Sequence, residues 1–203
     1  MNKQLPIYKA VLDNNEDGMF IVSFVDLPAV EVDWQAFAEE KQPMQFSIED
    51  EDKHIVRGVL MRANHPIYRN NNGFEYYVEF EPDTLREMSQ RFLKEGYNNN
   101  VDTMHNFELE DGVYLQEIFM KDIENGINPK GFEEVEDGSL FGQYKVENDD
   151  IWDKVKDGTF KGFSIVCVNA WEKIEQQFSN QEDKDYEEIV DMINKIKDKI
   201  NKK

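Results

Sequence analysis

Two short segments of this 203-residue chain carry residue types suited to nucleophilic chemistry. Asn98-Asn-Asn-Val-Asp-Thr-Met-His-Asn106 supplies His105, and Lys161-Gly-Phe-Ser-Ile-Val-Cys167 supplies Ser164. A serine hydroxyl is a weak nucleophile until a neighbouring base takes its proton, so the two residues gain meaning together. The search for a base is short, because His54, His65 and His105 are the chain's three histidines. His65 precedes Pro66 in a loop and His54 follows an acidic turn, so both read as surface residues. Alternation along the strand puts Ser164 on one face with Val166 and Val168, and Phe163, Ile165 and Cys167 on the other. Gly162 leaves room for another backbone to approach, and N–H groups beside it suit an oxyanion. Cys167, inside an apolar strand, reads as an inert core thiol. Three dispersed histidines and one cysteine make no convincing zinc set, and no glycine-rich phosphate loop is present. No cofactor or metal is expected.

The elements that must position these residues read mostly as strands. Segments 5–12 and 18–26 flank the turn-forming Asn14-Asn-Glu-Asp-Gly18, and Pro28 should end the second. Residues 31–41 are helix-like. Strands are expected at 44–49, 54–62 and 74–80, with loops at His65-Pro66 and Asn70-Asn-Asn-Gly73. Pro82 to Glu95 is the clearest helix, with Pro in its first turn, an apolar stripe of Leu85, Met88 and Phe92, and Gly96 as its stop. Strands at 101–105, 113–121 and 139–147 follow. A short helix comes next, from about Asp150 to Lys156, capped by Asn148 or Asp149 and ended by Gly158. The last core strand spans about 163–171. The class is therefore α+β with a mostly antiparallel sheet or barrel, in one domain over residues 1–172.

Beyond residue 173 the composition changes to a polar linker and then a helical pattern. Tyr186, Ile189, Ile193, Ile196 and Ile200 form a heptad seam, with Glu187, Glu188, Lys195, Lys197 and Lys199 on the other face. Such a stripe should pack on its own domain or on another copy of the chain.

The net charge of −20 argues against a broad duplex-binding surface, which needs clustered Lys and Arg. It favours solubility or a basic partner. No signal peptide is visible, and the run from Met19 to Val25 is too short to span a bilayer. A soluble cytoplasmic protein with no membrane or nucleic-acid partner is the expectation.

Three pieces of sequence resemble one family. Asn100-Val-Asp-Thr-Met-His-Asn106 is similar to the histidine motif of the capsid-maturation (prohead) serine proteases of tailed bacteriophages, which are related in fold to herpesvirus assemblin. Gly142-Gln-Tyr-Lys-Val-Glu147, followed by Asp150-Ile-Trp-Asp-Lys-Val-Lys-Asp-Gly158, resembles the strand and short helix before that family's nucleophile. Gly162-Phe-Ser-Ile165 resembles the nucleophile motif itself. The order of the pieces is more specific than any one of them, and they span about residues 55–171.

The resemblance implies Ser164 as nucleophile, His105 as general base, and a compact antiparallel barrel ringed by a few helices. It implies a serine endopeptidase acting on the phage's scaffold and major capsid proteins, in the host cytoplasm inside the assembling procapsid. Assemblin-type enzymes place a second histidine after the serine, and here none follows Ser164. A carboxylate could orient the imidazole instead. Glu117 is the expected one, with Asp102 and Asp26 as rivals, and such a partner should raise the histidine's pKa. Ile21-Val-Ser-Phe-Val-Asp-Leu-Pro-Ala29 resembles a segment that in many prohead proteases comes after the nucleophile, which implies a circular permutation. The competing reading is a catalytically inactive assembly or scaffolding module that binds partners through its C-terminal helix.

Overall fold

The computed structural model describes residues 5–14, 16–26, 45–71 and 73–173. The helix expected at 31–41 and the heptad-patterned tail lie outside these residues. The described strands are β1 (Ile7–Val11), β2 (Gly18–Val25), β3 (Ser47–Asp50), β4 (Ile55–Met61), β5 (Ile67–Asn71) and β6 (Phe74–Glu79). After helix α1 (Pro82–Lys94) come β7 (Val101–Thr103), β8 (Val113–Met120) and β9 (Leu140–Val146), and after helix α2 (Asp149–Lys156) come β10 (Gly162–Val168) and β11 (Ala170–Lys173).

They form three open sheets, ordered β11-β1-β6-β5, β10-β2-β7 and β3-β4-β9-β8. The α+β class stands, but the described residues close no barrel. Strands β1 and β6 pair in parallel, as do β2 and β7, and the other pairs are antiparallel. The turn at 14–18 does not make a hairpin, because β1 and β2 enter different sheets. Asp17 shapes that turn, its carboxylate accepting from the Asp13 amide at 2.8 Å.

Helix α1 forms as its punctuation suggests. Pro82 opens it, Leu85, Met88 and Phe92 are buried, and Gly96 beyond its end takes φ 75°. Helix α2 is capped by Asn148, whose side chain accepts from the Ile151 amide, and it buries Ile151, Trp152 and Val155.

An aromatic cluster supports the middle sheet. The Phe24 ring packs 5.0 Å from Phe163, 5.6 Å from Tyr144, 5.9 Å from Phe46 and 6.3 Å from Phe160. Phe24 and Phe163 are register partners on β2 and β10, so their face of this sheet points into the core. Gly58 on β4 permits the close fit: a Cβ there would lie 2.8 Å from the Phe46 Cβ and 3.1 Å from the Phe163 ring. The residues alternating with Phe24 and Phe163, Ser23 and Ser164, therefore point to the opposite face of the sheet.

Lys121 anchors the long connection between β8 and β9. It is buried, and its ammonium donates to the carbonyls of Phe132, Glu133 and Val135 at 2.9, 2.9 and 2.7 Å. Near the same connection, Arg62 forms a bidentate pair with Glu136, and His65 bridges the two: Arg62 Nη1 is 2.8 Å from its Nε2, and its Nδ1 is 3.1 Å from Glu136.

Candidate active site

Three polar residues form a row across the middle sheet. Ser164 on β10 is in register with Ser23 on β2, and Ser23 is in register with Asp102 on β7. In-register neighbours project from the same face of a sheet, so the three side chains stand side by side. All three are buried: Ser23 and Asp102 are 0% exposed and Ser164 is 5%. Buried polar residues in a row, on a sheet whose reverse face is aromatic, need partners above them.

His105 supplies one. Its Nδ1 is 2.8 Å from Ser23 Oγ, a hydrogen bond between residues 82 positions apart. Strand β7 stops at Thr103, and the chain turns so that Met104, His105 and Phe107 take positive φ values of 55°, 56° and 59°. Each such residue costs about 1–3 kcal/mol, so local bonds must hold the turn. The Phe107 amide donates to Asp102 Oδ2 at 2.9 Å, the Met104 amide to the Phe24 carbonyl at 3.0 Å, and the Asn106 amide to the Thr103 carbonyl at 3.1 Å. Asp102 thus both belongs to the row and fastens the turn that presents the histidine. Its other oxygen, Oδ1, is buried without a hydrogen-bond partner.

The charge environment of His105 differs from the expectation. Although His105 keeps an exposed surface, desolvation lowers its pKa below the ordinary 6.5, the Asp102 carboxylate opposes this, and the Arg69 guanidinium adds to the lowering. The carboxylate raises the value, as anticipated, but burial outweighs it. A neutral imidazole, ready to accept a proton, is the form favoured at neutral pH.

The remaining candidates lie as follows. Among the described residues no hydrogen bond joins His105 to Ser164; the hydroxyl in contact is that of Ser23. Glu117 is on β8, in the sheet β3-β4-β9-β8, where it is exposed and in register with Gln143. The carboxylate that acts on His105 is Asp102, because β7 leads directly into the histidine turn. Asp26 is exposed just past β2. His54 stacks on Trp152 at 4.5 Å with its Nδ1 3.2 Å from the Val146 carbonyl, and His65 is engaged by Arg62 and Glu136. Burial pushes the Cys167 thiol up to about 11, against a smaller effect of Arg69, which leaves it inert near neutral pH. Among the described residues no group of three His, Cys, Asp or Glu side chains could hold a metal ion, and no helix is long and apolar enough to cross a membrane.

Sequence reasoning missed the place of Ser23 in the site. Its segment stood out, but as a sign of permuted order and not as a partner of the histidine. The signal was the shared alternation: Ser23 and Ser164 each sit beside a core phenylalanine, Phe24 and Phe163.

Residues 44–175 match the model of the family described as "Putative phage serine protease XkdF". The chain belongs to this family, a conclusion in keeping with the histidine and serine motifs that the match encloses. No curated protein and no solved structure was found to match it.

Proposed function

We propose that the chain is a serine endopeptidase that processes phage scaffold and major capsid proteins during prohead maturation, within the assembling procapsid. Ser164 is the nucleophile and His105 the general base. The observation that carries this reading is the row Ser164–Ser23–Asp102, with the imidazole hydrogen-bonded to its middle member. Side chains directly opposed in an antiparallel pair have Cβ atoms about 4.5–5.5 Å apart, so an imidazole seated on Ser23 is one side chain away from Ser164. Catalytic hydrogen bonds are often loose before substrate arrives and tighten in the complex.

In the reaction Ser164 Oγ bonds to the carbonyl carbon of the scissile amide as its proton passes to His105. The tetrahedral oxyanion collapses, the C–N bond breaks, and the imidazolium protonates the departing amine. Water then attacks the acyl ester and gives a proton to His105. Breakage of the ester C–O bond releases the new carboxyl end and returns the proton to Ser164.

The segment order fits a permuted domain, since β2, near the amino end, lies directly beside the nucleophile strand β10. The net charge of −20 suits basic, Lys-rich segments in the substrates. The heptad seam beyond residue 183 provides for self-association, which a truncation at residue 175 would test by its mass in solution.

A second reading, with Ser23 as nucleophile, draws on its 2.8 Å contact with His105. Coexpression of the chain with the scaffold and capsid proteins of its phage tests the function. Processing by the natural chain and none by Ser164→Ala supports it; processing that persists in Ser164→Ala overturns the assignment of Ser164.

A further inference from the structure

The structure assigns Ser23 as the positioning residue of the site: its Oγ accepts the Nδ1–H of His105, which leaves Nε2 as the nitrogen that takes the Ser164 proton. This inference rests on the peptidase reading above, and it fills the third place that, among the described residues, no second histidine and no hydrogen-bonded carboxylate fills.

Several observations converge on that role. Ser23 lies on the middle strand of β10-β2-β7 and is 0% exposed. In-register side chains flank it on both sides, Ser164 and Asp102, and the imidazole reaches it at 2.8 Å. A nucleophilic oxygen needs an open line to an incoming carbonyl, and Ser23 Oγ is crowded by three neighbours. A positioning group needs the reverse, a fixed place and a lone pair aimed at the imidazole. Ser164 occupies an outer strand of the same sheet, which is where an extended substrate can lie.

Chemistry also favours the division of labour. A neutral imidazole carries one N–H, and the partner of one nitrogen decides which nitrogen stays basic. With Nδ1–H donated to Ser23, Nε2 carries the free lone pair. A hydroxyl performs this orienting role without a charge. Asp102, buried in the same row, supplies the charge through space, favouring the imidazolium formed during the reaction. The held turn of Met104, His105 and Phe107 fixes the backbone from which the ring reaches Ser23.

The test combines nitrogen NMR of histidine-labelled full-length chain with kinetics of Ser23→Ala and Ser23→Thr. In the natural protein above pH 7, His105 should be the Nδ1–H tautomer, and Ser23→Ala should shift it toward Nε2–H. Ser23→Ala should lower kcat about 10- to 100-fold, the loss of one hydrogen bond to a group that becomes charged, with KM nearly unchanged. Ser23→Thr, which keeps the hydroxyl, should restore both the tautomer and most of kcat. An Nε2–H tautomer in the natural protein, or one unmoved by Ser23→Ala, would overturn the inference. So would a Ser23→Thr variant that melts like the natural protein yet is as slow as Ser23→Ala. A correct tautomer response in a chain that cleaves nothing would sink the peptidase reading and leave the Ser23–His105 relationship standing.

Discussion

His105 meets Ser23, not Ser164, across 82 residues of sequence, and Ser23 stands in register with Ser164 on the adjoining strand. The imidazole is thus held by a serine whose in-register neighbour is Ser164. That arrangement shapes what each substitution should do.

Ser164→Ala and His105→Ala should each remove proteolysis while leaving the fold intact, since neither side chain belongs to the aromatic core. Members of a catalytic unit are not additive, so the double variant should be little worse than either single one. His65→Ala should keep its activity, because that ring is committed to Arg62 and Glu136. A His65→Ala variant as inactive as His105→Ala would reassign the base. The measurement is the rate of processing of the coexpressed capsid and scaffold proteins.

The pH profile of kcat/KM, which reports the free enzyme, should rise with pH around a midpoint below histidine's ordinary 6.5. Only neutral His105 accepts a proton, and desolvation, helped by Arg69, sets its pKa below 6.5. Asp102→Asn removes the charge that opposes this shift, so the midpoint should move further down. A midpoint above 6.5, or an upward move in Asp102→Asn, would contradict the balance of effects.

Acid should weaken the fold through Glu136. Burial alone would raise its pKa, but hydrogen bonds from His65 and Arg62 outweigh that and hold it at about 2, against an ordinary 4.5. A carboxylate whose pKa is depressed in the folded state contributes stability that is present above about 4.5 and lost as pH falls toward about 2. Glu136→Ala leaves Arg62, 5% exposed, without its carboxylate and should cost about 3 kcal/mol near neutral pH. Urea titrations at pH 7 and pH 3 would show a larger acid loss in the natural protein than in the variant, which keeps the smaller contributions of carboxylates such as Asp50 and Asp122.

Lys121→Met should destabilise more than its location far from the active site suggests. Of the three carbonyls that Lys121 bonds, that of Phe132 keeps the Val135 amide as a donor, but the buried Val135 carbonyl loses the lysine, and a buried acceptor left unsatisfied costs about 1–3 kcal/mol. The 122–138 connection should become susceptible to limited proteolysis, while the Ser23–His105 pair persists. Unchanged proteolysis and melting would mean that the cage contributes little.

Most strands were legible because alternation is strong where one face packs on aromatics, as in Phe163-Ser164-Ile165. Helix α1 was legible from Pro82 and Gly96. Strand β5 was not, because Arg69, Asn70 and Asn71 resemble a loop, and its place is fixed only by pairing with β6. The histidine turn was hidden for a related reason: Met104, His105 and Phe107 are not residues that advertise positive φ, and tertiary bonds such as Phe107 N–H to Asp102 impose it. The row itself depends on register between distant strands, which no local pattern encodes. Glu117 looked suitable by its nearness in sequence to His105, yet β8 joins a different sheet.

The central claim, that Ser164 is a nucleophile activated by His105, is tested most directly by a fluorophosphonate probe, which phosphonylates activated serines as fluoride leaves. The labelled full-length chain would be digested and the modified residue located by mass spectrometry. The account predicts one adduct on Ser164, absent from His105→Ala and strongly reduced in Ser23→Ala. An adduct on Ser23, or equal labelling of Ser164 in the natural chain and in His105→Ala, would contradict it.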